Sequence, residues 1–396
     1  MRIGRWWLIS AGVVLALIQA ALIVLWWKLP LWAPQWTAQH APTPEMAIRA
    51  IHQDGQDGLD VYRLVEARAL AWGTALGPAL LHRFGDSSPE QRMYIVALGG
   101  EAARALTELT PDAASVRWQG QFFSTADIRA LREDLYELVI LAVADGSPYV
   151  PHYAAELASA LHDQRVVPPF CAFLHGQKTP IGEDLEPVVR MLGVMADARA
   201  VPALIPLLSI RHKAHPVVEE ALAKCLDDAS VEHVVAATRH EHEVVRTWAA
   251  RQFPHYRASA EFTERITALI GDHERQVSVA AIRAIAETRL TTAGNELLRL
   301  AQRDGDPEPR RVAIEALGIL AHIPAGSYLR TLMQMPGDPL RGPAITALAA
   351  LDDQSDTSLL IPLLRETEPD IARLVRAALE QRPLTAEQRQ QLDETK

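Results

Sequence analysis

The sequence predicts an all-α fold, an α-solenoid of stacked helical hairpins behind an N-terminal transmembrane helix. Three observations predict it. The pentapeptide Leu-Ile-Pro-Leu-Leu stands at 204–208 and again at 360–364, 156 residues apart, or five steps of about 31 residues. Val245–Phe253, Val277–Ile285 and Pro309–Leu317 align at a spacing of 32, and two further segments at 31 end at Leu348 and Leu379. Finally, Leu8 to Leu25 carries no charged side chain.

The N-terminus reads as an anchor. Trp6-Trp7 and Trp26-Trp27 bracket the uncharged run, about 30 Å of helix apart, which matches the hydrocarbon thickness and its interfacial aromatic belts. A cleaved secretory signal fits less well, because its apolar core would be shorter and Ile18-Gln19-Ala20 is a poor cleavage site. Arg2 and Arg5 precede the run, and only Lys28 follows it before Arg49. The positive-inside rule then leaves residues 1–5 in the cytoplasm, 6–28 in the membrane and the rest outside. In a bacterium this is a single-pass inner-membrane protein with periplasmic repeats. Gly12, Ala16 and Ala20 recur every four residues, a stripe that would let such helices form a homo-oligomer, though alanine is common in spans.

Residues 29–43 form a Pro- and Trp-rich linker. Residues 44–149 read as an irregular helical N-terminal cap that includes degenerate repeats. Thr43-Pro44-Glu45 and Ser88-Pro89-Glu90-Gln91 open helices, the second through a capping box with proline at the first helical position. Leu98-Gly99 resembles the Leu-Gly that ends a repeat. Val116–Phe123 has no helical period, and its three aromatics fit an end plug better than a docking loop.

Residues 150–382 carry the regular units, at least seven. Each reads as a first helix entered through Val-Pro, an acidic turn, and a second helix with apolar residues at i, i+4 and i+8. The turns are Asp272, Asp304-Gly305-Asp306, Gly337-Asp338-Pro339 and Glu368-Pro369-Asp370. One hairpin cannot bury its own apolar stripe, so neighbours stack. Small residues such as Ala249, Ala281, Ala313 and Ala347 keep the second helices close. After Pro383, a short polar helix in 383–396 shields the last unit.

These segments resemble the HEAT-repeat family in its short, phycobilisome-lyase-like form. The resemblance rests on Ala200–Leu208, Glu308–Gly318 and Asp338–Arg341. It implies HEAT-like hairpins and says little of function, because such arrays serve unrelated tasks.

Charge and cysteine narrow the partners. None of the 49 Asp and Glu lies in the first 40 residues, so the remainder is more acidic than the net −10 of the whole chain. That argues against nucleic acid and anionic lipid as ligands. Cys171 and Cys225 sit at apolar positions of different units and read as buried thiols.

No phosphate loop, serine elbow, Cys-x-x-Cys or His-Glu-x-x-His is present. His212, His215, His233, His240, His242, His255 and His273 cluster, with His-Glu pairs at 240–241, 242–243 and 273–274. Deoxyhypusine hydroxylases, a HEAT-like family, bind iron through such pairs. Here the pairs run one residue out of step across the 32-residue spacing, so no metal and no cofactor is expected. A bilin-lyase role rests on the repeat type alone. Arg246, Arg283, Arg310 and Arg341 recur at or near the start of second helices. They either line a concave face that grips an acidic partner peptide, or form a ladder to Asp306, Asp338 and Asp370 between units; the offsets favour the ladder. Trp248 replaces Ala280 and Val312 at its aligned position, as core filling or as a groove anchor.

The sequence thus predicts a membrane-tethered scaffold or adaptor that binds another cell-envelope protein on its concave face. The alternatives are a His-Glu metal enzyme, a bilin lyase, or a structural subunit oligomerising through its anchor.

Overall fold

The structure is a computed structural model. It describes residues 19–24, 28–31, 33–51, 56–107, 115–118, 121–147, 149–176, 185–209, 215–303, 305–351, 357–365, 369–380 and 384–394.

Single-pass membrane placement needs correction. Among the described residues no helix is long and apolar enough to cross a membrane. Residues 1–18 and 25–27, including Gly12 and Ala16, lie outside the described residues. The single-pass inner-membrane location with periplasmic repeats therefore does not stand.

Contacts divide the chain into two compact units, residues 1–226 and 227–396. Among the described residues of the first, α1 (Pro34–His40) precedes five helix pairs. These are α2 (Pro44–Arg49) with α3 (Gln56–Glu66), α4 (Leu76–Gly85) with α5 (Pro89–Thr107), α6 (Thr125–Val143) with α7 (Val150–Leu161), α8 (Val167–Gly176) with α9 (Glu186–Met195), and α10 (Val201–Leu204) with α11 (His215–Cys225). First helices pack on first helices, and α3, α5, α7, α9 and α11 stack as a second layer. The same alternation runs through the described residues of 44–149. β1 (Ser115–Trp118) and β2 (Gln121–Ser124) form an antiparallel hairpin, Val116 opposite Phe123, where the sequence suggested a loop. Phe123 is buried.

The second unit repeats the plan. It pairs α12 (Val231–Ala237) with α13 (Glu243–Arg251), α14 (Ala260–Leu269) with α15 (Arg275–Thr288), and α16 (Gly294–Gln302) with α17 (Pro307–Ile319). Next come α18 (Gly326–Met333) with α19 (Arg341–Leu351), then α20 (Thr357–Leu360) with α21 (Pro369–Glu380); α22 (Ala386–Asp393) follows. Second helices α13, α15, α17, α19 and α21 pack in file. The i, i+4, i+8 stripe is what they bury: Val245, Ala249 and Phe253; Val277, Ala281 and Ile285; Pro309, Ala313 and Leu317.

Close helix approach is bought with glycine. A Cβ on Gly318 of α17 would lie 2.7 Å from the Cα of Ala347 on α19, and one on Gly193 of α9 would lie 3.0 Å from the Cα of Ala221 on α11. Both glycines belong to the Leu-Gly pair that marks the end of a second helix.

Candidate functional site

Arg246, Ser278, Arg310 and Arg341 hold one position in four successive hairpins, and that position faces inward. Arg246 Nη1 donates to the carbonyls of His240 (2.9 Å) and Glu241 (2.8 Å). Ser278 Oγ donates to Ile270 O at 2.7 Å, Arg310 Nε to Ala301 O at 3.0 Å, and Arg341 Nε to Met333 O at 2.8 Å. Each side chain thus meets carbonyls left without helical partners where the first helix of its own hairpin ends. Arg246 also grips the next hairpin, with Nε and Nη2 on the two carboxylate oxygens of Asp272 at 2.9 and 3.0 Å.

The acidic turns lead into second helices. Asp272 accepts from Glu274 N (3.0 Å), Asp306 from Glu308 N (3.0 Å) and Asp338 from Leu340 N (2.8 Å), and Asp306, as the N-cap of α17, places its carboxylate at the positive end of that helix. Asp306 also pairs with Arg275 of the preceding hairpin.

In the first unit the ties lie before first helices. Asp163 and Asp197 each cap a short 3₁₀ turn, accepting from Arg165 N and Arg199 N at 2.9 Å. Hydrogen bonds from the Arg165 and Arg199 guanidinium groups hold both carboxyls below the ordinary range. Arg165 reaches on to Glu133, and Arg199 to Gln164 O.

The five residues expected at a partner surface therefore part company. Arg246 is 6% exposed, Arg341 2% and Trp248 4%; Arg310 is half-buried and Arg283 exposed. The physical reason lies in helix periodicity. Arg246 precedes Ala249 by three residues and Phe253 by seven, so it rides the buried stripe, whereas Arg283 stands two before Ile285 and leaves it.

Among the grooves that the described second helices present to solvent, two have apolar floors between charged rims. One, of about 620 Å³, crosses α5, α7 and α9, with Ala160, Pro187 and Val194 between Arg104, Glu156, Glu186 and Arg190. Its charges are matched: Arg104 pairs with Glu101 and Glu156, Arg190 with Glu186. The other, of about 290 Å³, lies between α13 and α15, floored by Val279, Ala280 and Ala284 and rimmed by Arg251, Gln276, Arg283 and Glu287. Neither rim was read from the sequence as a whole; the exposed positions i, i+3 and i+7 beside each apolar stripe were the available signal.

Residues 231–318 and 294–380 match the family model described as HEAT repeats. The fold is an all-α, HEAT-like solenoid. Among solved structures, a Kap121p mutant is similar at 11% identity and a TM-score of 0.53, over 93% of this chain and 45% of that one. The chain thus spans less than half the length of that protein, and the likeness is one of fold. The complex of CpcE and CpcF of phycocyanin lyase from Nostoc sp. PCC7120 aligns at 16% identity over 69% of this chain and 94% of that one, with a TM-score of 0.28. The Pds5–Scc1 complex aligns at 13% over 89% and 70%, with a TM-score of 0.38. No curated protein matches the chain.

On this HEAT-like frame the His-Glu pairs serve as turn residues. His242 Nδ1 accepts from Val244 N as the cap of α13, and His240 Nδ1 accepts from His242 N at 3.1 Å. The His273 side chain is 78% exposed. His212 lies outside the described residues. Among the described residues no group of three His, Cys, Asp or Glu could hold a metal ion. Cys171 and Cys225 are free thiols, and burial pushes both up to about 11; Cys225 is buried as expected, whereas Cys171 is only half-buried.

Proposed function

We propose that this protein is a HEAT-type scaffold that binds another protein along the exposed face of its second helices. One observation carries the reading: both grooves described above open on second helices and set a small apolar floor between charged rims. Recognition surfaces need that combination, with an anchor site that sheds water and a polar border that sets register. The inward arginines contribute by holding each hairpin rigid, which lowers the cost of ordering the surface on binding.

The test separates the two faces. Val194 and Ile319 are about half exposed on second helices, and Leu141 is similarly exposed on first-layer α6. Val194→Asp combined with Ile319→Asp is expected to abolish co-purification of partner proteins that wild type and Leu141→Asp both retain. Retention by the double variant, or equal loss with Leu141→Asp, would count against binding on second helices.

A further inference from the structure

We propose that Arg251 and Arg283 form a two-point clamp for carboxylates on an extended acidic segment of a partner protein, laid across α13 and α15. The proposal rests on the scaffold reading and names the chemistry of its partner.

The two arginines stand out by what they lack. Among the described residues of the α13–α21 layer, every other arginine, from Arg246 on α13 to Arg376 on α21, holds a hydrogen bond or ion pair. Arg251 and Arg283 hold none, yet both are exposed and both rim the same groove. The nearest acids on the next helix are already engaged: Glu308 bonds Arg311 at 2.7 Å, and Glu315 pairs with Arg311 as well. Two exposed guanidinium groups without a hydrogen bond or ion pair therefore flank an apolar floor of Val279, Ala280 and Ala284, Arg283 feeling Glu308 only at a distance. A planar guanidinium meets a carboxylate with two parallel N–H donors, and water excluded by such a floor strengthens the bond.

Position gives the spacing. Arg251 and Arg283 are 32 residues apart and so equivalent in successive hairpins, which separates them by about one interhelix distance, 8–10 Å. Residues i and i+3 of a polyproline-type segment lie on one side about 9 Å apart. Glu287, one turn beyond Arg283 on the same rim, repels a third carboxylate and limits the acidic stretch on that side. A chain of net charge −10 gives nucleic acid no comparable welcome.

The test uses the full chain and a dye-labelled proline-rich peptide with two glutamates three residues apart, read by fluorescence anisotropy at low salt. Replacing both arginines (Arg251→Gln with Arg283→Gln) is expected to weaken binding about tenfold, each exposed charge-assisted contact contributing severalfold. Glutamine in place of the peptide glutamates should cost the same. The double charge reversal Arg251→Glu with Arg283→Glu should instead select a lysine peptide. Unchanged circular dichroism shows that the variants fold. Equal binding of the acidic and amide peptides, or wild-type affinity in the double glutamine variant, would overturn the clamp, as would tighter binding of a single-stranded RNA. If that variant still co-purifies partners that Val194→Asp with Ile319→Asp loses, the clamp fails and the scaffold stands. If co-purification never depended on the second helices, the scaffold fails whatever the peptide does.

Discussion

Arg246 is a charge that the fold consumes. Its side chain and that of Asp272 are 7% and 8% exposed, and four donor–acceptor contacts are shared among Arg246, Asp272 and the turn before α13. Removing one partner leaves the other's charge buried without its ion-pair partner. Arg246→Met should therefore lower unfolding free energy by about 3–5 kcal/mol in urea titration. Arg246→Lys should rescue little, because an ammonium cannot span both carboxylate oxygens. A loss under 1 kcal/mol would mean the pair is dispensable. The recurrence of arginine at this position was legible in the sequence; its direction was not. Repetition shows that a residue has a job in every hairpin, and that job is met equally by a binding row and by an internal staple. Ser278 decides between them, since a hydroxyl too short to reach a partner still reaches Ile270 O at 2.7 Å.

At the scale of the element, the twin pentapeptides carry more than a period. In both, helix gives way to 3₁₀ after the leading leucine: α10 ends at Leu204 before Ile205–Ser209, and α20 ends at Leu360 before Ile361–Arg365. Pro206 and Pro362 remove a donor there, and the tighter turn carries the chain on while Leu208 and Leu364 remain buried. The helix–turn–helix period was legible because apolar spacing, proline and acidic caps agree. The β1–β2 hairpin was not, because four-residue strands offer too few alternations to distinguish from loop. Glycine gives the sharper test of helix packing. Gly318→Ala should cost about 1–3 kcal/mol by forcing α17 and α19 apart. Gly85→Ala, whose Cβ would meet nothing within 4 Å, should cost nothing or stabilise slightly. Thermal melts of the two variants side by side check this, and equal melting temperatures would refute the close approach.

At the scale of the molecule, stacked hairpins draw stability from nearest neighbours and grow in one dimension. Residues 227–396 contain what such a stack needs on its own. Asp227 and Ser230 form a reciprocal capping box at its start, at 3.0 and 3.2 Å, and Tyr256 Oη ties Asp227 O from the second hairpin at 2.8 Å. Phe253 and Phe262 meet edge to face at 5.2 Å beneath them, both fully buried. Four further second-layer contacts continue the core to α21 through Ile285, Leu317, Leu348 and Leu379. Expressed alone, 227–396 should therefore give a helical circular dichroism spectrum and unfold cooperatively in urea. Phe253→Ala should shift that transition by about 3–5 kcal/mol, since it empties the junction of two hairpins. A fragment that is helical but melts without a cooperative transition would show that its stability is drawn from outside these residues, and the nearest-neighbour account would fail with it.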